Sequence, residues 1–140
     1  MNDAKEYLLR IRVYDDKVDD LNADISMLED MLYKITPDLK PDAVSFSGNQ
    51  DKLGSLVADR LDKIKKRDEA WDRFVDYRLE AWWRLQKISR KEYREILRMR
   101  YFEYMALKDI SAALKKEYRW VRRLHGRALQ VYAKLMDGEK

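Results

Sequence analysis

An all-α chain is predicted by three features of the 140-residue sequence. Apolar residues recur at steps of three and four over long stretches, glycine and proline occur only four times and twice, and charged residues make up 40% of the whole. Scarce helix breakers and abundant charged residues that tolerate helix suit long, solvated helices. The arrangement expected is a long antiparallel, coiled-coil-like helical hairpin over residues 1–88 with a loop at 36–52, followed by a shorter three-helix unit over residues 89–140.

The first helix is expected from Asp3 to Ile35. Ala4, Ile11, Val18, Ile25 and Leu32 fall on one heptad position and Tyr7, Tyr14, Leu21, Leu28 and Ile35 on the other, with no Gly or Pro between them. Asp3 is placed to cap the helix, with Glu6 three residues on. Pro37 and Pro41 end it by disfavouring helix in the residues before them. Residues 36–52, TPDLKPDAVSFSGNQDK, read as a long loop. A second helix follows from Leu53 to Ile88, with Leu53, Val57, Leu61, Ile64, Trp71, Val75, Trp82 and Leu85 on one stripe interrupted by Asp68 and Arg78. Each helix would span roughly 50 Å. Equal lengths joined by one loop point to a hairpin, and the alternative is that one of its helices pairs with a second copy of the chain.

ISRKEY marks the next boundary. Ser89 and Glu92 have the spacing of a capping box, Ile88 and Tyr93 that of a hydrophobic staple, so a third helix is expected from about Arg90 through Phe102. A short helix over Leu107–Leu114 and a last one over Tyr118–Met136 complete the chain.

Several function classes are excluded or disfavoured. Cysteine is absent and histidine occurs once, so there is no disulfide framework, no thiolate nucleophile and no His/Cys metal set. No metal and no cofactor is expected. SFSGNQDKLG lacks P-loop spacing, and an enzyme is the least expected class. MNDAKEYLLRIRVYDD carries acidic residues where a signal peptide needs a positive start, and no stretch approaches the roughly 18 apolar residues of a membrane span. A cytoplasmic protein that does not engage a membrane is expected. Asp15, Asp16, Asp19 and Asp20 read as a solvated helix face, and Trp71, Trp82 and Trp83 as core or partner contacts.

Charge is graded along the chain. Residues 1–50 carry 6 Lys or Arg against 11 Asp or Glu, residues 51–89 carry 10 against 8, and residues 90–140 carry 14 against 7. The basic end is where an anionic partner is expected. ISAALKKEYRWVRRLHGRAL, from Ile110 to Leu129, concentrates six of the cations. On a helical wheel Trp120, Val121, Leu124, Ala128, Val131, Tyr132 and Leu135 share one arc, and Arg119, Arg122, Arg123 and Arg127 lie opposite. A helix docked by the first face presents guanidinium groups from the second, and these suit phosphate oxygens and guanine edges. Val121 and Leu124 follow Ser111 by ten and thirteen positions, the spacing at which a helix-turn-helix returns its second helix to a small residue on its first.

EILRMRYFEYMALKDISAALKKEYRWVRRLHGRAL resembles region 4 of the sigma-70 family and the related small phage regulators of the ArpU-like and RinA-like type. The matching residues are Leu97, Arg98, Arg100, Tyr101, Phe102, Glu103, Ile110, Leu114, Val121, Leu124, His125, Ala128 and Leu129. VSFSGNQDKLGSLVADRLDKI is similar to the linker of a phage family of unassigned function that ends in such a unit. The chain departs from the pattern at the turn, where the family has Gly and an apolar residue and this chain has Lys115 and Lys116, and at Ser111, where Ala is usual. No segment before residue 90 resembles a promoter-melting region.

The resemblance implies a recognition helix at about 118–136 in the major groove of double-stranded DNA. Tyr118, Arg119, Arg122 and Arg123, with Glu117, would face base edges. Lys115, Lys116 and Arg127, with Arg98, Arg100 or Lys108, would face phosphates. It places His125 routinely, so this residue is expected at the core edge or on a phosphate. The expected function is transcriptional regulation of the phage or prophage type, with RNA polymerase and a homodimer through the hairpin as further partner expectations. The alternatives are a small terminase subunit in DNA packaging, and an interaction protein that binds polymerase without touching DNA.

Overall fold

The computed structural model describes residues 3–35 and 47–138. Among them there is no strand, and the elements in order are α1 (Asp3–Ile35), α2 (Ser47–Gln86), α3 (Lys91–Leu97) continued by a π-helical turn (Arg98–Phe102), α4 (Leu107–Leu114) and α5 (Tyr118–Gly138). α1, α4 and the start of α5 lie where the periodicity places them. α2 begins six residues before the expected Leu53, so residues 47–52 of the expected loop are helical; the rest of that loop lies outside the described residues. Pro41 restricts only its immediate surroundings, and a glycine in a first turn costs only about 1 kcal/mol. Asp3 is the first residue of α1 and lies inside its acidic first turn rather than preceding it as a cap.

By packing, the described residues form two compact units, one within residues 15–73 and one within residues 1–14 together with 74–140. The sequence divides it instead at residue 88, just after α2 ends.

In the unit of residues 15–73, Val18, Leu21, Ile25 and Ala70 are buried. Polar pairs between α1 and α2 run in opposite directions along the two helices. Arg67 Nη1 donates to Asn22 Oδ1 at 2.9 Å, Lys63 Nζ lies 3.0 Å from Asp24, and Arg60 Nε lies 3.8 Å from Glu29. Such exposed pairs stabilise by only about 0–1 kcal/mol each, but they select one rotation of α2. That rotation corrects the expected stripe: Val57, Leu61 and Trp71 are 42%, 59% and 50% exposed, because the face carrying Arg60, Lys63, Arg67 and Ala70 turns to α1 instead.

In the other unit, Ala4, Leu8 and Ile11 of α1 and Phe74, Ala81 and Leu85 of α2 are buried with the C-terminal helices. Tyr77 donates its hydroxyl to the Tyr7 carbonyl at 2.7 Å, and the two rings stack with centroids 4.7 Å apart. Arg84 is buried, lies over the rings of Tyr7 and Tyr132, donates to the Tyr132 hydroxyl and pairs with Glu80 at 3.3 Å. Tyr132 in turn donates to the Ala81 carbonyl at 3.1 Å. Trp82 is half-buried and meets Phe102 edge-on, whereas Trp83 remains 63% exposed, so only the first of these two tryptophans joins the core.

The start of α3 differs from the expected capping box. Arg90 occupies the N-cap position without a side-chain cap. Glu92 pairs with Arg90 at 2.9 Å, and Arg94 Nη1 donates to the carbonyls of Ile88 and Ser89. Arg90 thus takes the Glu92 carboxylate that the Ser89–Glu92 exchange requires. The single helix expected through Phe102 also widens. Glu103 N–H donates to the Arg98 carbonyl, five residues back. The reason lies in the apolar spacing: Ile96 and Leu97 recur as Tyr101 and Phe102, five residues on, and all four are buried. Five residues of α-helix would rotate the second pair away by about 140°, whereas a π turn of wider pitch holds both pairs on one face.

Candidate nucleic-acid interface

α4 and α5 position the basic face through one apolar cluster. Ile96, Ile110, Val121 and Leu124 are buried together, with Tyr93, Met99, Leu114 and Trp120 packed around them. Ala128, Leu129 and Tyr132 continue the buried side of α5. This is the face that the helical wheel assigns to packing.

Between the two helices the chain reverses at Lys115, which has φ 56° and ψ 43°, in the left-handed region. Its N–H donates to the Ala112 carbonyl and that of Lys116 to the Ser111 carbonyl. The pair of bonds is a Schellman closure of α4. Ser111 Oγ adds a bond to the Lys116 carbonyl. The position where the resembled family carries Gly therefore needs the conformation that Gly adopts most readily, and this chain meets it with lysine.

All seven residues expected to meet DNA, Lys115, Lys116, Tyr118, Arg119, Arg122, Arg123 and Arg127, are exposed, as are Lys108 and Glu117. They lie on the turn and on the side of α5 opposite its buried residues. None of the four α5 arginines forms an ion pair with a carboxylate among the described residues. Arg60, Arg84, Arg90 and Arg98, by contrast, are all paired. Arg98 and Arg100 do not join the basic face as proposed. Arg98 is held by Glu103, and Arg100 donates to the Met105 carbonyl at 3.0 Å. Each of the two guanidinium groups finds its partner five residues on, across a π turn invisible to a 3.6-residue period.

His125 lies at the edge of the core. Its Nε2 and the Tyr101 hydroxyl share a hydrogen bond of 2.8 Å, and the rings stack with centroids 5.7 Å apart. Burial first, then the positive charge of Arg100 and Lys5, pulls its pKa down to about 4. Burial likewise raises the Tyr101 hydroxyl to about 12. Both groups are therefore neutral near pH 7, and the pair works as packing. No group of three or more His, Cys, Asp or Glu suited to a metal ion occurs among the described residues. Nor is any described helix long and apolar enough to cross a membrane.

Chemically, the surface offers a row of unneutralised guanidinium and ammonium groups on a rigid helix, an arrangement that attracts a polyanion. Comparison of the chain with protein-family models, with curated proteins and with solved structures finds no match.

Proposed function

We propose that the chain is a DNA-binding transcriptional regulator of the phage or prophage type. In this reading α1 and α2 form an antiparallel hairpin, and α3 to α5 form a helix-turn-helix unit whose α5 enters the major groove. The observation that carries it is the basic face of α5: Arg119, Arg122, Arg123 and Arg127 are exposed and without carboxylate partners, while most other arginines of the C-terminal helices are engaged. The cluster of Ile96, Ile110, Val121 and Leu124 supports the crossing that such a unit needs. Lys115, Lys116 and Arg127 would neutralise phosphates, and Tyr118, Arg119, Arg122 and Arg123 would reach base edges.

A salt series tests this. If these three cations each neutralise a phosphate, log affinity for duplex DNA falls with log salt at a slope of about −3. Failure of the unaltered chain to retard any duplex at about 50 mM salt refutes the reading. Retention of RNA polymerase without a duplex shift would assign the basic face to polymerase.

The half-exposed Val57, Leu61 and Trp71 on one line of α2 favour association between copies. A dimer suits regulation. A ring would move the same DNA-binding unit to packaging, as a small terminase subunit, and a measured mass separates the two.

A further inference from the structure

Two cations of the basic face stand over aromatic rings. Arg122 Cζ lies 5.8 Å from the centre of the Tyr118 ring, and Lys116 Nζ lies 5.5 Å from the Trp120 ring. Both pairs are four residues apart, and a helical side chain leans toward the amino terminus, so Arg122 reaches back over Tyr118 at the first turn of α5. A ring orients a cation differently from a carboxylate. A carboxylate takes up the N–H donors and the charge. A ring attracts the cation through its face and accepts none of the in-plane N–H donors as a carboxylate does, so they stay available. Tyr118 itself is 40% exposed and is not among the residues packed on the Ile96–Ile110–Val121–Leu124 cluster, whereas Trp120 is. The Tyr118–Arg122 pair is thus an ordering device whose cost to the fold is separable from its effect on a ligand.

We propose that Tyr118 is a positioning residue of the DNA-binding face, its ring holding the Arg122 guanidinium extended at the groove end of α5 so that less side-chain freedom is lost when DNA binds. The inference rests on the DNA-binding reading above and revises it at one residue: Tyr118 acts through Arg122 rather than by reaching a base edge itself.

A double-mutant cycle on the full chain, read by mobility shift against a duplex selected from random sequence, tests it. Tyr118→Leu lowers affinity about two- to fivefold, the range of an exposed cation–π contact. Tyr118→Phe, which keeps the ring, restores binding. In an Arg122→Ala background Tyr118→Leu has no further effect, and thermal melting is unchanged within error by Tyr118→Leu alone. Losses that simply add, failure of Phe to rescue, or full affinity in Tyr118→Leu would each overturn the inference while leaving DNA binding standing. Absence of any shift by the unaltered chain would remove the DNA reading and this inference with it.

Discussion

Lowering the pH should loosen the C-terminal helices through one residue. His125 has a folded pKa of about 4 against the ordinary 6.5. The sign follows from proton counts. Above 6.5 His125 is neutral whether folded or unfolded, and its contribution is fully present. Between 6.5 and about 4 the unfolded chain takes up a proton that the folded one refuses, so stability falls, and below about 4 the loss is complete. At about 1.4 kcal/mol per unit, the fall from neutral pH to pH 5 has an upper limit of about 2 kcal/mol. His125 is half-buried, and solvent screening reduces this to about 1 kcal/mol. With an m-value of about 2 kcal/mol per molar, the urea midpoint then drops by about 0.5 M between pH 7.5 and pH 5. His125→Gln is the control, because it cannot take up the proton. The difference between the two proteins should vary with pH even though both share every carboxylate titration. Parallel midpoint curves for the two proteins between pH 7.5 and pH 5 would refute the reasoning.

Three further outcomes are expected. Lys115→Gly raises the melting temperature, because relief of the left-handed strain, about 1–2 kcal/mol, exceeds the added unfolded-state entropy of about 0.5–1 kcal/mol; Lys115→Ala, which keeps a Cβ, leaves it within about a degree. Arg84→Ala costs about 3 kcal/mol in urea unfolding, since it strips a desolvated cation from the Tyr7 and Tyr132 rings and leaves the Tyr132 hydroxyl with one partner fewer. Leu61→Lys lowers the mass measured by light scattering if copies associate through the Val57–Leu61–Trp71 line, and an unchanged mass excludes that line as the interface.

What the sequence made legible follows from which forces act locally. α4 and the start of α5 lie where expected because helix ends at Leu114 and Tyr118 are set by neighbouring residues. The packed side of α5 was legible because Val121, Leu124, Ala128 and Tyr132 keep one period through an undistorted helix. The rotation of α2 was not. A heptad reading sends charge outward, yet Arg60, Lys63 and Arg67 turn toward α1, where Glu29, Asp24 and Asn22 await them. The buried Arg84 was missed for the same reason, since aromatic neighbours 77 and 48 positions away in the chain join the local Glu80 in making its burial tolerable. At Ser89 the local spacing was present, but the Glu92 carboxylate is taken by the longer side chain of Arg90.

The π turn shows how one local irregularity bears on the interface as a whole. Arg98 and Arg100 lie in the third helix expected from the sequence, and on a regular helix both were candidates for phosphate contacts. The widened turn keeps Tyr101 and Phe102 in the core, and the following Tyr104 takes a φ of 61°. Glu103 and the Met105 carbonyl then take the two guanidinium groups. Each of these cations has one Nη1 donor engaged, and moving it to a phosphate would cost that bond. In the DNA-binding reading the phosphates neutralised are then set by Lys115, Lys116 and Arg127, which are exposed on the α4–α5 turn and on α5. Arg98→Ala should then leave the salt slope of DNA binding unchanged, whereas Arg127→Ala should reduce its magnitude by about 1. A reduced slope for Arg98→Ala would mean that the Arg98–Glu103 pair opens on DNA, and that the interface is wider than the folded chain presents.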